Sequence, residues 1–308
     1  MDQAGMPLIT VIISTCCRSE SLARTVRSVL LNDYPRFNLK VIDQSEGDVV
    51  RHCLLPFLGD PRLEYCKSET RGLSAGLNVA ISRATSELIA VIDDDCEAPV
   101  NWVFNLARSL LWDRRVGAVF GNVLAAPHDP RVGFIPAYRR REPFVAHNLW
   151  QNHRIASISA SMGLRRSIWE SLGGFDELLG PGAPFKSAEE TDFVIRTLRA
   201  GYFVYETPDV SVIHHGFRTW GEGRELIRAY LYGIGAMFAK HFKSAHASVM
   251  VYCFQLAWRW AFEKPLVDFG HNPSRGLRLR AFLEGFSAGI AHPVCRSAGL
   301  YMRRNNSH

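Results

Sequence analysis

The chain has 308 residues, of which 47% are hydrophobic and 21% charged, enough to bury a large core in one domain or in two modest ones. No stretch is of low complexity and no repeat of fixed period occurs, which excludes low-complexity and repeat architectures. The formal net charge of +6 comes from the last third of the chain, so the first two thirds are near neutral.

The first half of the sequence alternates between strand and helix patterns. Leu8–Ser14 is short, almost wholly apolar and contains β-branched residues, which is typical of a strand buried on both faces. An apolar stripe that begins at Leu22 and follows the helical period predicts the helix that comes next. Similar patterns predict three more strands and one more helix, at Leu39–Asp43, Arg62–Cys66, Leu88–Ile92 and 73–81. This alternation indicates an α/β fold with a mostly parallel central sheet flanked by helices.

Acidic residues follow two of these strands. Asp43 closes one strand, and Asp93, Asp94 and Asp95 follow the strand Leu88–Ile92. Ligands of parallel sheets bind at the carboxyl ends of the strands, so we expect both acidic sites at one edge. Adjacent carboxylates repel one another without a cation, and Mg²⁺ or Mn²⁺ takes carboxylate and phosphate oxygens as ligands. We predict a metal site at Asp95 and Asp93, whose side chains are expected to share one face; the alternative is a solvated acidic turn.

Other polar residues near this edge are candidates for binding a nucleotide. The Asp43 carboxylate could accept a hydrogen bond from the imide N–H of a pyrimidine, and the alternative is an ordinary loop aspartate. Thr15 and Arg18 follow the first strand, and Arg18 or Arg71 could face phosphates. For each arginine, the alternative is an exposed, solvated side chain. Asp94 and Asp93 lie on the same edge and complete this group of candidates.

The second half begins near Pro99. Strands are predicted at Val116–Asn122, Ser157–Met162, Tyr202–Tyr205 and Val210–Ile213. Helices are predicted at Arg165–Leu172 and Glu189–Ala200, the second ended by Gly201, and loops at Pro127–Pro143 and Pro181–Pro184. After Trp220 the pattern is helical to the end of the chain.

Two further groups of residues could carry chemistry. Glu189, Glu190 and Asp192 open a helix behind a glycine-rich loop, where a general base would sit on a rigid element behind a mobile one. The alternative is that these acids only favour the helix dipole. His214 and His215 end a strand, and one of them could be a further metal ligand; the alternative is a structural histidine.

The last third is basic and aromatic. From Gly216 onward there are 13 Lys and Arg residues against 5 Asp and Glu residues. Aromatic residues are interleaved with these charges at Trp220, Phe238, Phe242, Trp258, Trp260, Phe262 and Phe286. This suits an interfacial helix on anionic lipid, and the alternative is that the aromatics close the core while the basic residues are solvated. No apolar run is long enough to span a membrane, and no signature of nucleic-acid binding is present.

The cysteines and the N-terminus bear on the location of the protein. The seven cysteines are odd in number, irregular in spacing and free of a CxxC pair, which argues against a disulfide framework and a structural zinc site. The N-terminus lacks the basic start and the long apolar run of a signal peptide. We therefore expect a cytoplasmic protein, peripheral at the inner face of the cell membrane if the tail binds lipid.

Five ordered segments resemble family 2 glycosyltransferases of the GT-A fold, whose central sheet is Rossmann-like. They are PLITVIISTCCRSESLARTVRSVL, LKVIDQSEGD, SETRGLSAGLNVAISRA, LIAVIDDDCEAPVNWV, and LGGFDE followed by AEETDFVIRTLRAGY. The resemblance covers roughly residues 7–216. It implies a catalytic domain at 1–216, with a nucleotide-sugar-binding half at 7–98 and an acceptor-side half at 99–216. A helical C-terminal extension would then occupy 217–308.

The resemblance also implies roles for individual residues. Asp43 matches the acid that binds the base, and Gln44 stands where many members have a second aspartate. Arg71 and Asn78 match the segment beside the nucleotide. Glu190 takes the position of the catalytic base, where the family usually has an aspartate that is one methylene shorter.

The function implied by the resemblance is an inverting transfer of a sugar from a nucleotide-diphosphate sugar to a hydroxyl of a glycan or lipid-linked acceptor. A metal held by Asp95 and Asp93 would neutralise charge on the leaving nucleoside diphosphate, and Glu190 would accept the proton of the hydroxyl. Two alternatives remain open, a nucleotidyltransferase and a GT-A-like protein that binds nucleotide sugar without catalysis. A dinucleotide oxidoreductase is disfavoured because no GxGxxG follows the first strand.

Overall fold

The computed structural model describes residues 5–244, 251–252 and 274–302. The strands in these residues are β1 Ile9–Thr15, β2 Phe37–Asp43, β3 Leu63–Lys67, β4 Leu88–Ile92, β5 Cys96–Glu97, β6 Val116–Ala125, β7 Gly133–Phe134, β8 Phe144–Ala146, β9 Ser161–Arg165, β10 Phe203–His214, β11 Arg218–Thr219, β12 Val294–Cys295 and β13 Leu300–Tyr301. The helices are α1 Ser19–Leu30, α2 Val49–Leu54, α3 Leu73–Ser82, α4 Trp102–Leu111, α5 Arg166–Ser171, α6 Glu189–Arg199, α7 Trp220–Lys243 and α8 Arg275–Ile290, with a 3₁₀ helix at Leu149–Arg154.

The main sheet has the strand order β3-β2-β1-β4-β9-β6-β10-β5, and β8 also pairs with β10. Strands β3, β2, β1 and β4 are parallel to one another. Because β9 is antiparallel to both β4 and β6, and β10 is parallel to β6, these two strands run in the same direction as the first four. The predicted mostly parallel sheet is therefore confirmed, and its helices cover both faces.

The first four strands agree with the sequence prediction to within two residues at each end, whereas several later elements differ. The strand predicted at Ser157–Met162 begins only at Ser161, since Ser157 has a positive φ of 48° and turns the chain. The strands predicted at Tyr202–Tyr205 and Val210–Ile213 form one strand, β10, with a bulge between them. Helices α2 and α4 were not predicted.

Two hydrophobic cores enclose the sheet. Val11 and Ile13 of β1 face a core shared with α1, α2 and α4, whereas Ile12 faces a core shared with α3, α5 and α6. All five residues of β4 are buried. Burial on both faces explains why β1 and β4 have almost continuous apolar sequences instead of alternating ones.

The C-terminal extension packs on the side of the sheet that carries α6. Met237 and Phe238 of α7 share a third core with Ile195 of α6 and with Leu179 and Phe185 of the preceding loop. A continuous apolar contact thus joins the extension to the predicted acceptor-side half, residues 99–216.

Helices α7 and α8 approach each other closely, and then the helical pattern ends. The prediction of helix to the end of the chain is wrong beyond Ile290, where β12 and β13 form a hairpin. The predicted aromatic tail residues Trp258, Trp260 and Phe262 lie outside the described residues. Among the described helices, none has both the length and the apolar character that crossing a bilayer requires.

The contact between α7 and α8 predicts a stability difference between two glycines of α8. A Cβ on Gly285 would lie 1.9 Å from the carbonyl oxygen of Tyr232, whereas a Cβ on Gly276 meets no atom of the described residues within 4 Å. We expect Gly285→Ala to lower the free energy of unfolding by about 1–3 kcal/mol, because α8 must move away from α7. Gly276→Ala should leave it unchanged or raise it by up to about 1 kcal/mol. Denaturant unfolding of both variants checks this, and equal effects would contradict the packing described.

Candidate active site

Three parallel strands end side by side at one edge of the sheet. Thr15 at the end of β1 is the register partner of Asp43 at the end of β2, and β4 pairs with the other side of β1. After β4 the chain turns at once, since the amide of Cys96 donates to the carbonyl of Asp93 at 3.2 Å. The sheet therefore brings Thr15, Asp43 and the aspartates 93–95 to the same edge, as the sequence predicted.

Asp94 and Asp95 are buried, and both carboxylates bind the guanidinium group of Arg18. The Thr15 hydroxyl donates to Asp94 Oδ2 at 2.6 Å. The Arg18 guanidinium donates to Asp94 Oδ1 at 3.1 Å and to Asp95 Oδ2 at 2.5 Å. Burial raises the pKa of Asp94, whereas at Asp95 the effect of burial is outweighed by His214 and Arg18, which lower the pKa. Two adjacent buried carboxylates thus depend on nearby positive charge.

His214 and Asp95 form a pair that fits a divalent cation. The Nδ1–H of His214 donates to the carbonyl of Pro136 at 2.9 Å, and Nε2 lies 3.3 Å from Asp95 Oδ1. Histidines that bind metals commonly donate one N–H to a carbonyl, which directs the other nitrogen to the metal. Gly216 keeps this space open, because a Cβ there would lie 2.4 Å from His214 Nε2 and 2.8 Å from Asp95 Oδ2.

Two neighbours of this pair are poorer ligands. The thiol of Cys96 lies within 4.8 Å of the ligand atoms of Asp95 and His214, but burial and the adjacent aspartates raise its pKa well above the usual value. A protonated thiol does not suit a hard cation. His215 donates its amide to the carbonyl of Asp95 at 2.8 Å, and its ring Nε2 lies 3.4 Å from Glu97 Oε2. Of the two histidines predicted as candidate ligands, only His214 therefore directs its ring to Asp95.

A second acidic group lies beside Asp93. Burial raises the pKa of Glu189 and of Glu190 at the start of α6, and the charge of Glu190 raises that of Glu189 further. Burial, and then the charge of Asp95, raise the pKa of Asp93 to about 7, with a contribution from Glu190. Tyr230 of α7 faces the same group, since burial and the charges of both glutamates raise its pKa. Asp93 thus interacts electrostatically with both Asp95 and Glu190.

Glu189 has one oxygen atom that a ligand could satisfy. The residue is only 2% exposed, and its Oε2 has no hydrogen-bond partner in the part of the chain that the structure describes. Leaving a buried carboxylate oxygen unpaired is costly. This oxygen is therefore available to accept a hydrogen bond from a polar ligand or to share a proton with Glu190.

Asp192 lies on the same helical turn but in a separate environment. Its carboxylate accepts hydrogen bonds from Arg196 Nε at 2.9 Å and His241 Nε2 at 2.8 Å, and it lies 2.7 Å from Lys240 Nζ. Burial would raise the pKa of Asp192, but Lys240 and Arg196 outweigh it and hold the pKa well below its usual value. Asp192 stays a predicted candidate, but the structure pairs its carboxylate with Arg196, Lys240 and His241, which favours a structural role.

The Asp43 carboxylate is held inside the sheet edge. It is fully buried and accepts hydrogen bonds from the hydroxyl of Tyr65 at 2.7 Å, from Lys67 Nζ at 2.9 Å and from the amide of Ser45 at 2.8 Å. Burial would raise its pKa, but the bonds from Lys67 and Tyr65 outweigh it and lower the pKa. In this conformation Asp43 supports the turn after β2 and does not present an oxygen to a nucleobase.

Gln44 and Asn78 support loops with their amide groups. Gln44 Nε2 donates to the carbonyl oxygens of Thr70 and Gly72, each at 3.0 Å. Asn78 Nδ2 donates to the carbonyl of Phe175 at 2.9 Å, and its Oδ1 accepts from the amide of the same residue at 2.9 Å. In this structure the Asn78 amide binds the backbone of Phe175, and Gln44 shapes the segment that carries Arg71.

The two arginines predicted to face phosphates differ in exposure. Arg71 pairs with Glu46 at 3.2 Å, and the two side chains are 83% and 94% exposed. An ion pair this exposed contributes little, so Arg71 can turn to an anionic ligand at small cost. Arg18 instead is bound to the buried aspartates described above.

The loop Pro181–Pro184, which was predicted to be mobile, is hydrogen-bonded to α3. The amide of Leu73 donates to the carbonyl of Pro181 at 2.9 Å, and the hydroxyl of Ser74 donates to the carbonyl of Leu179 at 2.7 Å. The glutamates at the start of α6 therefore follow a segment that is hydrogen-bonded to α3.

Gly216, Arg218 and Tyr230 belong to the site but were missed in the sequence. Arg218 is one of the charges that lower the pKa of Asp95 against the effect of burial. The available signal was the segment HHGFRTW, an irregular connection after a strand that ends at the acidic edge.

The profile of the family described as Glycosyl transferase family 2 matches residues 10–172, more than half of the chain. The chain is 25% identical over 232 residues to the probable glycosyltransferase YdaM of Bacillus subtilis, covering 70% of this chain and 52% of that protein. It is 28% identical over 227 residues to the glucosyl-dolichyl phosphate glucuronosyltransferase of Haloferax volcanii, covering 67% of this chain and 66% of that protein. The chain thus spans about half the length of the first relative and just under two thirds of the second.

Among solved structures, the chain is similar to the mannosyltransferase PcManGT of Pyrobaculum calidifontis, determined in complex with GDP-Man and Mn²⁺. The TM-score is 0.63 at 19% sequence identity, and the match covers 96% of this chain and 79% of that one. At this identity the likeness concerns the fold, and it confirms the GT-A architecture.

The ring geometry predicts that the two adjacent histidines differ in metal binding. We expect His214→Ala to weaken Mn²⁺ binding about tenfold or more, equal to about 1.4 kcal/mol, because the site has few protein ligands. His215→Ala is the matched control and should bind Mn²⁺ like the parent protein. Calorimetric titration with Mn²⁺ and a nucleoside diphosphate measures both, and equal affinities in the two variants would place the cation elsewhere.

Proposed function

Because the chain belongs to glycosyl transferase family 2, we propose that it transfers a sugar from a nucleoside-diphosphate sugar to an acceptor hydroxyl, with inversion and with a divalent metal ion. One observation carries this proposal: Asp93, at the carboxyl end of β4, interacts electrostatically both with the Asp95–His214 pair and with Glu190 at the start of α6. Such a transfer needs a metal-binding group and a proton-accepting group, and this sheet edge offers candidates for both. The presence of Glu190 beside Asp93 favours an active transferase over a protein that only binds nucleotide sugar.

Positive charge for the donor diphosphate comes from several side chains. Asp95 and His214 would hold Mg²⁺ or Mn²⁺, and such an ion would neutralise charge on the leaving nucleoside diphosphate. Arg18, Arg71 and Arg218 add cationic groups on the same side. We propose that Thr15 and Asp94 position Arg18. Asp43 and Gln44 support the loops that line the proposed binding site of the nucleobase.

Glu190 is the proposed general base. Its carboxylate takes the proton of the acceptor hydroxyl while the hydroxyl oxygen bonds to the anomeric carbon. The bond between that carbon and the diphosphate oxygen breaks on the opposite face, so the configuration inverts. Burial raises the pKa of Glu190, which makes its carboxylate a stronger base once the proton is lost. Glu189 and Tyr230 line the same place and suit contacts with the acceptor.

We propose further that the C-terminal extension lies against anionic lipid. On α8, Leu279, Leu283 and Ile290 are 60%, 52% and 38% exposed, and their spacing puts them on one face. Arg275 and Arg280 are exposed on the same helix. An apolar stripe beside arginines suits the surface of an anionic bilayer, here the inner face of the cell membrane. The Haloferax volcanii relative has a lipid-linked sugar in its name, and we propose an acceptor of this class.

Replacing the base tests the proposed mechanism. Glu190→Gln keeps the size of the side chain but cannot accept a proton, so we expect the transfer rate to fall about 10²–10⁴-fold. Affinity for the nucleoside diphosphate with Mn²⁺ should change little, since Glu190 lies at the other end of the site. Single-turnover transfer with a panel of nucleotide sugars, together with calorimetry, measures both quantities. Glu87→Gln, an exposed acid outside the site, is the control. A Glu190→Gln variant with the parent rate would remove the base from the proposal.

The membrane contact predicts a salt-sensitive interaction with lipid. We expect the parent protein to co-sediment with anionic vesicles and to be released by salt, because charge attraction is screened. Replacing both Leu279 and Leu283 by serine should weaken binding at least about tenfold, since each leucine buries apolar surface worth about 1.5–3 kcal/mol. Leu31→Ser removes an apolar side chain that is 64% exposed elsewhere and should have no effect. Absence of parent binding at low salt would refute the contact.

A further inference from the structure

A closed cluster of charged groups ties the C-terminal extension to α6. Lys240 of α7 is fully buried, and its Nζ lies 2.7 Å from Asp176 Oδ2 and 2.7 Å from Asp192 Oδ1. The same acids bind further groups: the amide of Tyr301 in β13 donates to Asp176 at 2.9 Å, and His241 Nε2 donates to Asp192 at 2.8 Å. One ammonium group thus joins the loop before α6, α6 itself and the extension.

The charges in this cluster balance. Asp176 and Asp192 are matched by Lys240 and Arg196, and burial lowers the pKa of His241, which favours its neutral form. Arg196 also donates to the carbonyl of Leu172 at 2.7 Å, so the cluster reaches the end of α5. In the buried interior, an acid that lost its cation would be strongly destabilised. The positions of these side chains are therefore tightly constrained.

The first turn of α6 depends on this cluster for its orientation. Ala188 at the N-cap has a φ of 75°, and no side chain caps the helix. Ser187 holds the preceding segment to α7, because its hydroxyl donates to the carbonyl of Tyr230 at 3.0 Å. Asp192 comes two residues after Glu190 and is bound by cations on two sides. The direction of the Glu190 carboxylate therefore depends on where Asp192 is anchored.

We propose that Lys240 is a positioning residue for sugar transfer: by holding Asp192 and Asp176, it fixes the first turn of α6 and aims Glu190 at the acceptor hydroxyl. This inference rests on the proposed function, since Lys240 acts through the base assigned there. A displacement of about 1 Å at a reacting group can cost about 10²-fold in rate. The donor end, at Asp95 and His214, is held by other elements and stays in place.

Three variants separate positioning from folding. Lys240→Met alone leaves two buried acids with one arginine, so it lowers stability as well as rate. The double variant Lys240→Met/Asp176→Asn removes one charge of each sign and keeps the cluster neutral while the ammonium link from α7 is lost and the His241–Asp192 bond remains. Lys243→Met is the matched control on the same helix, because that ammonium binds the carbonyls of Ile290 and His292 and, among the described residues, no acid.

The rates are counted per molecule that binds Mn²⁺ and nucleoside diphosphate, so that unfolded protein does not contribute. We expect kcat to fall about 10- to 100-fold in the double variant with the donor KM unchanged, while Lys243→Met keeps the parent kcat. In a Glu190→Gln background, the double substitution should cause little further loss, because both changes act through one carboxylate. Asp176→Asn alone, which removes one of the two anchors of Lys240, should show a smaller loss in the same direction.

Two results with the double variant overturn the inference. One is an unchanged kcat in the double variant, and the other is a loss of the same size in the Glu190→Gln background as in the parent. A fully active Glu190→Gln protein would overturn the proposed base and this inference together. An inactive Glu190→Gln protein beside a fully active double variant would overturn this inference alone.

Discussion

The crowding of carboxylates at one edge of the sheet is the electrostatic constraint on which the rest of the structure depends. Parallel strands place their carboxyl ends side by side, and here acids follow β2 and β4 and open α6. Burial and the charges of neighbouring carboxylates make Asp93 and Glu189 harder to ionise and raise their pKa values. Cationic side chains from distant segments, Arg18 at the start of α1 and Arg218 after β10, offset these charges, and Gly216 leaves space beside His214 and Asp95.

The antiparallel strand β9 decides how the two ends of this edge meet. It lies between β4 and β6 and runs against both, so its amino end lies at the edge where the other strands have their carboxyl ends. The segment just before β9 is thereby placed against α6. The hydroxyls of Ser157 and Thr191 lie 3.2 Å apart, and the backbone of Ser159 hydrogen-bonds the Glu190 carboxylate and lowers its pKa against the effect of burial. One sheet thus serves both the donor and the acceptor halves.

The C-terminal extension forms a wall of the site, and it is also the surface that we propose contacts lipid. Tyr230 faces the glutamates, Ser187 binds the backbone of α7, and Lys240 closes a buried charge cluster beneath α6. The opposite side of the extension carries the exposed apolar stripe of α8. Because α7 and α8 pack backbone against backbone at Gly285, a lipid-bound α8 would hold the acceptor side of the site near the membrane.

The sequence alone was sufficient to predict the features that depend on residues close together in the chain. The apolar runs of β1 and β4 report burial on both faces, and the aspartates after β4 and the glutamates at the start of α6 follow directly from their places on these elements. The resemblance to family 2 glycosyltransferases rested on the same segments. Only the tertiary structure decided which polar groups are occupied by partners far away in the chain. Asp192 binds Lys240, Asn78 binds Phe175, and His214 but not His215 turns to Asp95. Each of these depends on a contact between segments that no short pattern relates, so residues of equal promise in the sequence have different roles in the fold.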